Sequence, residues 1–397
     1  MPPPVEVLVL GAGIAGCALA YHLAQRNVGP VVVVDPQTPA AGATGRAAGI
    51  LTEQLWSRWD VEVTRESKSL YAELSARHDP EAYEVNGFVR WAATPGPIAS
   101  LEAARDRWRA WGVPVEELPT PRLAELVPWG RFDDAPRSAY TRADSVVTPS
   151  AITNVLVDRA RAAGVEFRFG ARPDGFGPDP VGWKADLAGA PVRARQAVVA
   201  AGAWSPALFE AVGAPQPIVP YRTQAAVLRP AQAPATFVSV HDVETDVYAR
   251  PESHGRILAG DGTDLTPADP DRYRTAADPS FVAGLAEVFG RRLPGWADAE
   301  LVRAWAGLCT STPDRRPLVG PVPDHARLFA LVGFNGFGVM RAGGVARRLA
   351  DLIASGGAGN RETERLAPAL PERFRGVPPR FAPRPGFTLD DGADPRY

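Results

Sequence analysis

Lysine is almost missing from this chain. Of its 43 lysine and arginine residues only Lys68 and Lys184 are lysines, a bias toward arginine that leaves any lysine-dependent chemistry two candidates. Cysteine is equally sparse, and Cys17 and Cys309 alone exclude a disulfide scaffold and most zinc sites. The five histidines (22, 78, 241, 254 and 325) never fall at metal-ligand spacing, so no metal is expected. There is also little net charge. At −2 the chain offers no basic field for nucleic acid and no polybasic anchor for a membrane. Val7 to Ala24 lacks charge, but it is short for a membrane span, three glycines interrupt it, and no basic segment precedes it. The expectation is a cytoplasmic protein without a membrane span.

What is present is the balance of a globular protein, 45% apolar and 22% charged, over 397 residues. That length exceeds one ordinary core, so two domains are expected. Val5 to Leu10 reads as a buried strand, residues 14–26 as a helix, and Val31 to Val34 as a second strand closed by Asp35 and Pro36. Strand, helix and strand within about thirty residues make one βαβ unit. Downstream, 151–163 reads as a helix, 165–169 and 196–201 as strands, 301–308 and 328–333 as strands, and 343–353 as a helix. Residues 85–92 and 218–261 carry short β-rich segments broken by Pro, Gly and Asp, as in an antiparallel sheet. Residues 100–128 look helical.

Gly11-Ala-Gly13-Ile14-Ala15-Gly16 follows the first strand and opens the first helix, the context that makes this spacing a dinucleotide fingerprint. Gly11 permits the tight turn, Gly13 the approach of a pyrophosphate, and Gly16 close packing of helix on strand. The helix N-terminus supplies N–H groups for the phosphates. Asp35, nineteen residues after Gly16, can accept hydrogen bonds from ribose hydroxyls and disfavours NADP. The fingerprint alone leaves FAD and NAD open.

Further segments occur in register with it: Ala41 to Ile50, Ala200 to Ser205, Trp305 to Asp314 and Gly333 to Gly338. Together they resemble the D-amino-acid oxidase superfamily of flavoproteins, over roughly residues 5–355. The branches most similar are glycine oxidase, monomeric sarcosine oxidase and the β-subunit of archaeal L-proline dehydrogenase. The resemblance implies an α/β plus α+β fold, a Rossmann-like FAD-binding domain (GR2-type) interleaved with a substrate domain built on an antiparallel β-sheet. On that basis 1–84, 141–214 and 301–360 form the FAD-binding domain, 85–140 and 215–300 the substrate domain, and 361–397 a C-terminal extension, partly disordered.

The same resemblance implies a cofactor, FAD, and where it lies. Gly42, Thr44, Ala48 and Gly49 would wrap the ribityl and pyrophosphate, with Arg46 nearby. Val165 would touch the adenine through its backbone, and Ala201-Gly202 would pass close by. Gly336, Phe337, Gly338, Val339 and Met340 would run along the pyrimidine edge of the isoalloxazine. Small residues at 41–49 let backbone approach a ligand, and backbone N–H groups at 336–338 suit negative charge on the flavin. Some relatives bind FAD covalently through a histidine at the place of Arg46, or a cysteine at the place of Gly307. Neither is present, so non-covalent FAD is expected, with Cys309 two residues away as the one candidate link. Cys17 reads as a packed core residue.

The family reaction is oxidation of a C–N bond of an amino acid, N-alkyl amino acid or related amine, giving an imine that water hydrolyses. O2 or another acceptor takes the electrons, and the lysine that assists O2 in sarcosine oxidase would fall near Ala259. Usual carboxylate anchors fall on Cys309 and on or near Thr52 and Met340, all uncharged here. Arg250 and Arg341 could reach the pocket instead, or serve in structural ion pairs. Tyr248 is the candidate catalytic, substrate-positioning group, a packed strand tyrosine being the alternative. Trp56, Trp59, Trp305 and Phe337 could wall the pocket, whereas His241 and His254, possible acid–base groups, read better as solvent-facing loop residues. A flavin-bearing subunit of an electron-transfer complex and a non-catalytic flavoprotein remain as alternatives, and the chain could work as a homo-oligomer or within a heteromeric complex.

Overall fold

The computed structural model describes residues 3–134, 136–188, 190–232, 237–261, 266–356 and 360–381. The expected loose tail falls at its end, and 382–397 lie outside the described residues. Two large sheets organise the rest.

The first has the spatial order Leu318–Pro321, Leu328–Val332, Val192–Val199, Val5–Leu10, Val31–Asp35, Glu166–Phe169. The strands from Leu328–Val332 to Glu166–Phe169 run parallel, and an antiparallel hairpin, Gly175–Asp179 with Gly182–Asp186, adds to Val192–Val199. Both faces are covered, which is why its strands read as unbroken apolar runs. Val7, Val9, Val31 and Val33 face the helices Ile14–Gln25, Pro149–Ala162 and Gly338–Ala354, while Leu8, Leu10, Val32 and Val34 face the hairpin and the helix Ser205–Ala211.

The second sheet has the order Glu300–Ser311, Val219–Arg229, Arg256–Gly260, Val247–Glu252, Ser239–Asp242, Phe88–Ala92, Arg137–Thr141. All neighbours are antiparallel except Ser239–Asp242 with Phe88–Ala92. One face carries Val89, Trp91, Val240, Ala249, Ala259 and Ala226 into a core with Phe281, Leu285 and Phe289 of the helix Pro279–Arg292. The other face is turned to the cavity described below. A small sheet, Ile50–Leu51, Ser145–Val147 and Tyr83–Val85, links the two.

Two expected boundaries change. Residues 301–311 were expected with the nucleotide-binding part, but Glu300–Ser311 pairs along its whole length with Val219–Arg229 in the antiparallel sheet. Residues 361–381 were expected as an extension; the helix Asn360–Leu366 buries Leu366, and Arg365 O accepts a hydrogen bond from Trp59 Nε1 at 2.9 Å. Trp59 therefore packs away from the cavity. No helix among the described residues is long and apolar enough to cross a membrane.

Helix Arg58–His78, capped by the Ser57 side chain, holds the helix Gly338–Ala354 in place. The approach is close because Gly343 and Gly344 have no side chain: a Cβ on Gly343 would lie 2.9 Å from Ser67 Cα, and one on Gly344 would overlap Val63 O. Ser67 Oγ accepts the Gly344 N–H at 2.9 Å, and Tyr71 Oη donates to Val339 O at 3.1 Å. These contacts fix the helix N-terminus that borders the cavity. Gly344→Ala is expected to cost about 1–3 kcal/mol, as overpacking of a tight core does. Thermal unfolding of the holoprotein checks it, and an unchanged midpoint would contradict the close approach.

Candidate active site

A single cavity of about 800 Å³ runs from the first βαβ unit to the inner face of the antiparallel sheet, near the upper end of the range for cofactor sites. Its nucleotide end is made by glycines. Gly11 has φ +114°, and a Cβ there would overlap Ala200 O, so two chain crossings share one narrow space. Gly16 lies against Gly11 O, as helix-on-strand packing requires, and does not line the cavity. Gly13, Ile14 and Ala15 line it at the helix N-terminus, where Thr44 Oγ1 accepts the Ile14 N–H at 3.1 Å. Asp35 accepts Ala12 N–H at 2.7 Å and Gln37 N–H at 2.8 Å, and burial holds its carboxyl above the usual carboxylate range. Its remaining lone pairs face the cavity beside Pro36, where a ribose would sit.

One expected contact is displaced. Val165 does not line the cavity, and its N–H is spent on Ala160 O at 3.0 Å. It precedes the strand Glu166–Phe169, whereas the cavity opens at that strand's far end, roughly 13 Å along the chain. Arg172 and Pro173, beyond that end, line the cavity instead.

Farther in, Gly42, Thr44, Arg46, Ala48 and Gly49 line the cavity, as do Ala201 and Gly202. Arg46 Nη1 donates to Ala41 O and to Gly42 O (3.1 Å for the latter), and Arg46 O accepts from Trp305 Nε1 at 3.2 Å. A Cβ on Gly307 would lie 3.1 Å from Arg46 Cδ, so Arg46 and Gly307 are neighbours in space. Across from them Gly336 (φ +82°), Phe337, Gly338, Val339 and Met340 bring the N-terminus of a 17-residue helix to the cavity. That terminus has neither a side-chain cap nor an acidic first turn, so its N–H groups and partial positive charge are available to an electron-rich ring edge.

The inner face of the antiparallel sheet forms the roof. Residues in register on neighbouring strands point to one face. Arg90, His241, Tyr248, Gly260, Ala225 and Trp305 make one such row, and Tyr221 pairs with Cys309 nearby. All but Gly260 line the cavity; Gly260 lies beneath the Tyr248 ring, where a Cβ would overlap the hydroxyl. The Tyr221 hydroxyl and the Cys309 thiol are hydrogen-bonded, and the Tyr221 oxygen would sit 3.3 Å from a Cβ on Gly336. Burial raises both tyrosine pKa values and pushes the Cys309 thiol up to about 11, so all three keep their protons at neutral pH.

Several expected roles change here. Arg250 does not line the cavity: its guanidinium is spent on Ala48 O (2.6 Å), Pro251 O and Glu252 (2.8 Å), bracing the 44–49 turn. Arg341 is fully buried in an ion pair with Asp60 at 2.9 Å, beneath Trp56 and Phe337. Trp56 packs edge-on against Phe337 behind the wall, at 4.5 Å between centroids. Thr52 lines the cavity, but its hydroxyl donates to Asp144 at 2.6 Å within a buried cluster with Glu53 and Lys68. Ala259 points into the opposite core, and no lysine lines the cavity. His241 is buried on a strand, not exposed on a loop, and it joins Arg90 and Asp246, both lining residues that the sequence left unmarked. A charged residue inside the apolar run Phe88–Ala92 was the available signal for Arg90. No cluster of metal-ligating side chains occurs among the described residues.

These residues fit FAD: a side-chain-free crossing for the pyrophosphate, a carboxylate for a ribose, and a helix terminus at the far end. A model of the family described as "DAO: FAD dependent oxidoreductase" matches residues 6–352. Dimethylglycine dehydrogenase of Rattus norvegicus is 27% identical, over 88% of this chain and 43% of its own length. The chain thus spans less than half of that relative. Glycine oxidase of Pseudomonas aeruginosa is 28% identical over 88% of this chain and 94% of its own. Among solved structures, L-proline dehydrogenase from P. horikoshii superposes with a TM-score of 0.86 at 22% identity, covering 96% of this chain and all of its own. That last likeness carries the fold alone.

Asp35→Ala is expected to weaken FAD binding about 10- to 100-fold, the loss of hydrogen bonds to a charged group. Titration of the apoprotein with FAD, followed by flavin fluorescence, checks it; an unchanged affinity would refute the ribose placement.

Proposed function

The chain belongs to the DAO family of FAD dependent oxidoreductases, and from that premise we propose that it oxidises the C–N bond of an amino acid, N-alkyl amino acid or related amine. The observation that carries this is the continuity of the cavity: the dinucleotide-binding turn and the Tyr248–Tyr221 roof share one continuous space. When bound, FAD supplies a two-electron acceptor for the C–H bond next to nitrogen.

What the chain's own residues do follows from their protonation. Tyr221, Tyr248 and Cys309 hold their protons and can donate hydrogen bonds, but none is a base at neutral pH. Burial lowers the His241 pKa, so its ring is neutral there. The roof therefore positions the substrate and excludes water, and the amine reacts in its neutral form. Tyr248, which lines the cavity with its ring over Gly260, would be the group that positions the substrate.

Two features support non-covalent FAD. Arg46 and Gly307 hold the two places where relatives carry a linking histidine or cysteine. The Cys309 thiol is protonated and engaged by Tyr221, which leaves it a poor nucleophile. After acid precipitation the yellow colour is expected in the supernatant; colour retained by the pellet would show a covalent link.

An anaerobic screen of the holoprotein against D- and L-amino acids, N-methyl amino acids and imino acids tests the reaction. One class is expected to bleach the flavin band, and a band that none of them bleaches would sink this reading. Tyr248→Phe should lower the rate of bleaching about 10- to 100-fold with the resting spectrum intact, the loss of one positioning hydrogen bond. Loss of FAD from that variant would mark a structural tyrosine instead.

A further inference from the structure

The places where relatives grip a substrate carboxylate are uncharged in this chain, and both arginines that could have compensated are committed elsewhere. Arg250 braces the 44–49 turn and Arg341 is locked to Asp60. Yet the roof is not without a cation. Three arginines line the cavity: Arg46 and Arg172 belong to its nucleotide part, and Arg90 lies under the antiparallel sheet, two strands from Tyr248 in the same row.

Arg90 is built to be rigid. Its Nη1 donates to His241 Nδ1 at 3.0 Å. Arginine only donates, so His241 accepts at Nδ1 and carries its proton on Nε2, which donates to Asp246 Oδ1 at 2.8 Å. His241 is thus held in one tautomer and fixes the guanidinium in turn. From the other side Arg90 Nη2 reaches toward Gln54 O at 3.5 Å, and the Gln54 amide is tied to Ala139 O (3.1 Å) and Thr141 (3.0 Å). Phe88 lies under the guanidinium at 5.0 Å. A planar cation with its side chain immobilised and one face on an aromatic ring is preorganised for a carboxylate.

We propose that Arg90 binds the carboxylate of the substrate amine, with His241 and Asp246 as positioning residues that hold its guanidinium toward the cavity. The substrate class is then a carboxylate-bearing amine. Neighbouring strands are about 4.8 Å apart, so the Arg90 and Tyr248 backbones stand roughly 10 Å apart across the row. The carboxylate enters on the Arg90 side and the nitrogen on the Tyr248 side. This inference rests on the amine-oxidising reading, but it is tested separately from it.

The experiment uses two non-reacting probes on the holoprotein, propionate and its uncharged amide propionamide, each titrated against the absorbance of the bound flavin. Wild type is expected to bind propionate more tightly than propionamide. Arg90→Met should weaken propionate about 100-fold and leave propionamide nearly unchanged. Arg90→Lys, which keeps charge and bulk if the methionine variant does not fold, should recover part of that loss. His241→Gln should weaken propionate selectively by a smaller factor, whereas a merely structural histidine would weaken both probes alike. Equal losses for the two probes, or a wild-type flavin band that propionate does not move, overturn the proposal. Propionate binding that depends on Arg90 in a protein no amine bleaches would keep the anchor and discard the oxidation. Bleaching by amino acids with an unchanged KM in Arg90→Met would do the reverse.

Discussion

A carbonyl oxygen, that of Ala200, stands where any side chain at residue 11 would have to go. The rest of the molecule depends on that overlap being avoided. It lets the end of Val5–Leu10 and the loop after Val192–Val199 close against one another while a channel remains for a diphosphate. The channel continues inward under Gly49, where a Cβ would overlap Val147 O, and past Gly307, where Arg46 fills the space. The cavity is thus shaped less by the groups that line it than by the side chains that are missing from its tightest passages.

The charges are arranged around the same constraint. Two helix N-termini open on the cavity, Ile14–Gln25 at the nucleotide end and Gly338–Ala354 at the inner end, and both favour electron-rich groups. The second is held by packing of glycine on helix Arg58–His78, so its position is a matter of backbone contact and not of a flexible side chain. Other ionised side chains are paired behind the wall. Lys68 and Arg65 pair with Glu53 and Asp144 behind Thr52, and Arg341 is closed off by Asp60. Asp144, pushed up to about 6 by burial, marks how dry that region is.

Much of this was legible in the sequence, and the line between what was and what was not is physical. The glycine spacing at 11–16, Asp35 at its distance and the β-branched run at 31–34 are local patterns, and the structure brings them together at one end of the cavity. Tyr248 came from the family resemblance and not from a local pattern. Harder to read was anything set by register between strands far apart in sequence. Arg90 and His241 meet across 151 residues, and that they act together is not readable until the parallel pairing of Phe88–Ala92 with Ser239–Asp242 is known. Strand Glu300–Ser311 was misassigned for the same reason, since only its partner says which sheet it joins. Val165 failed through direction: the reading found the strand but chose the end that faces away from the cavity.

That distinction bears on the uncharged anchor positions. A pleated strand offers its side chains to the cavity only at every second residue, and those positions along the roof are few. Tyr221, Cys309, Tyr248 and Trp305 already hold several with groups that stay neutral. A cation added among them would have to be desolvated beside these neutral groups. On the strand Phe88–Ala92 it meets His241, Asp246 and the Gln54 carbonyl, which share the cost of burial before any substrate arrives. Burial still lowers the Arg90 pKa, to about 9, and an incoming carboxylate would relieve that strain directly. The roof can therefore hold a cation at its edge, beside the neutral Tyr221, Tyr248 and Cys309, which is the arrangement a carboxylate-bearing amine requires.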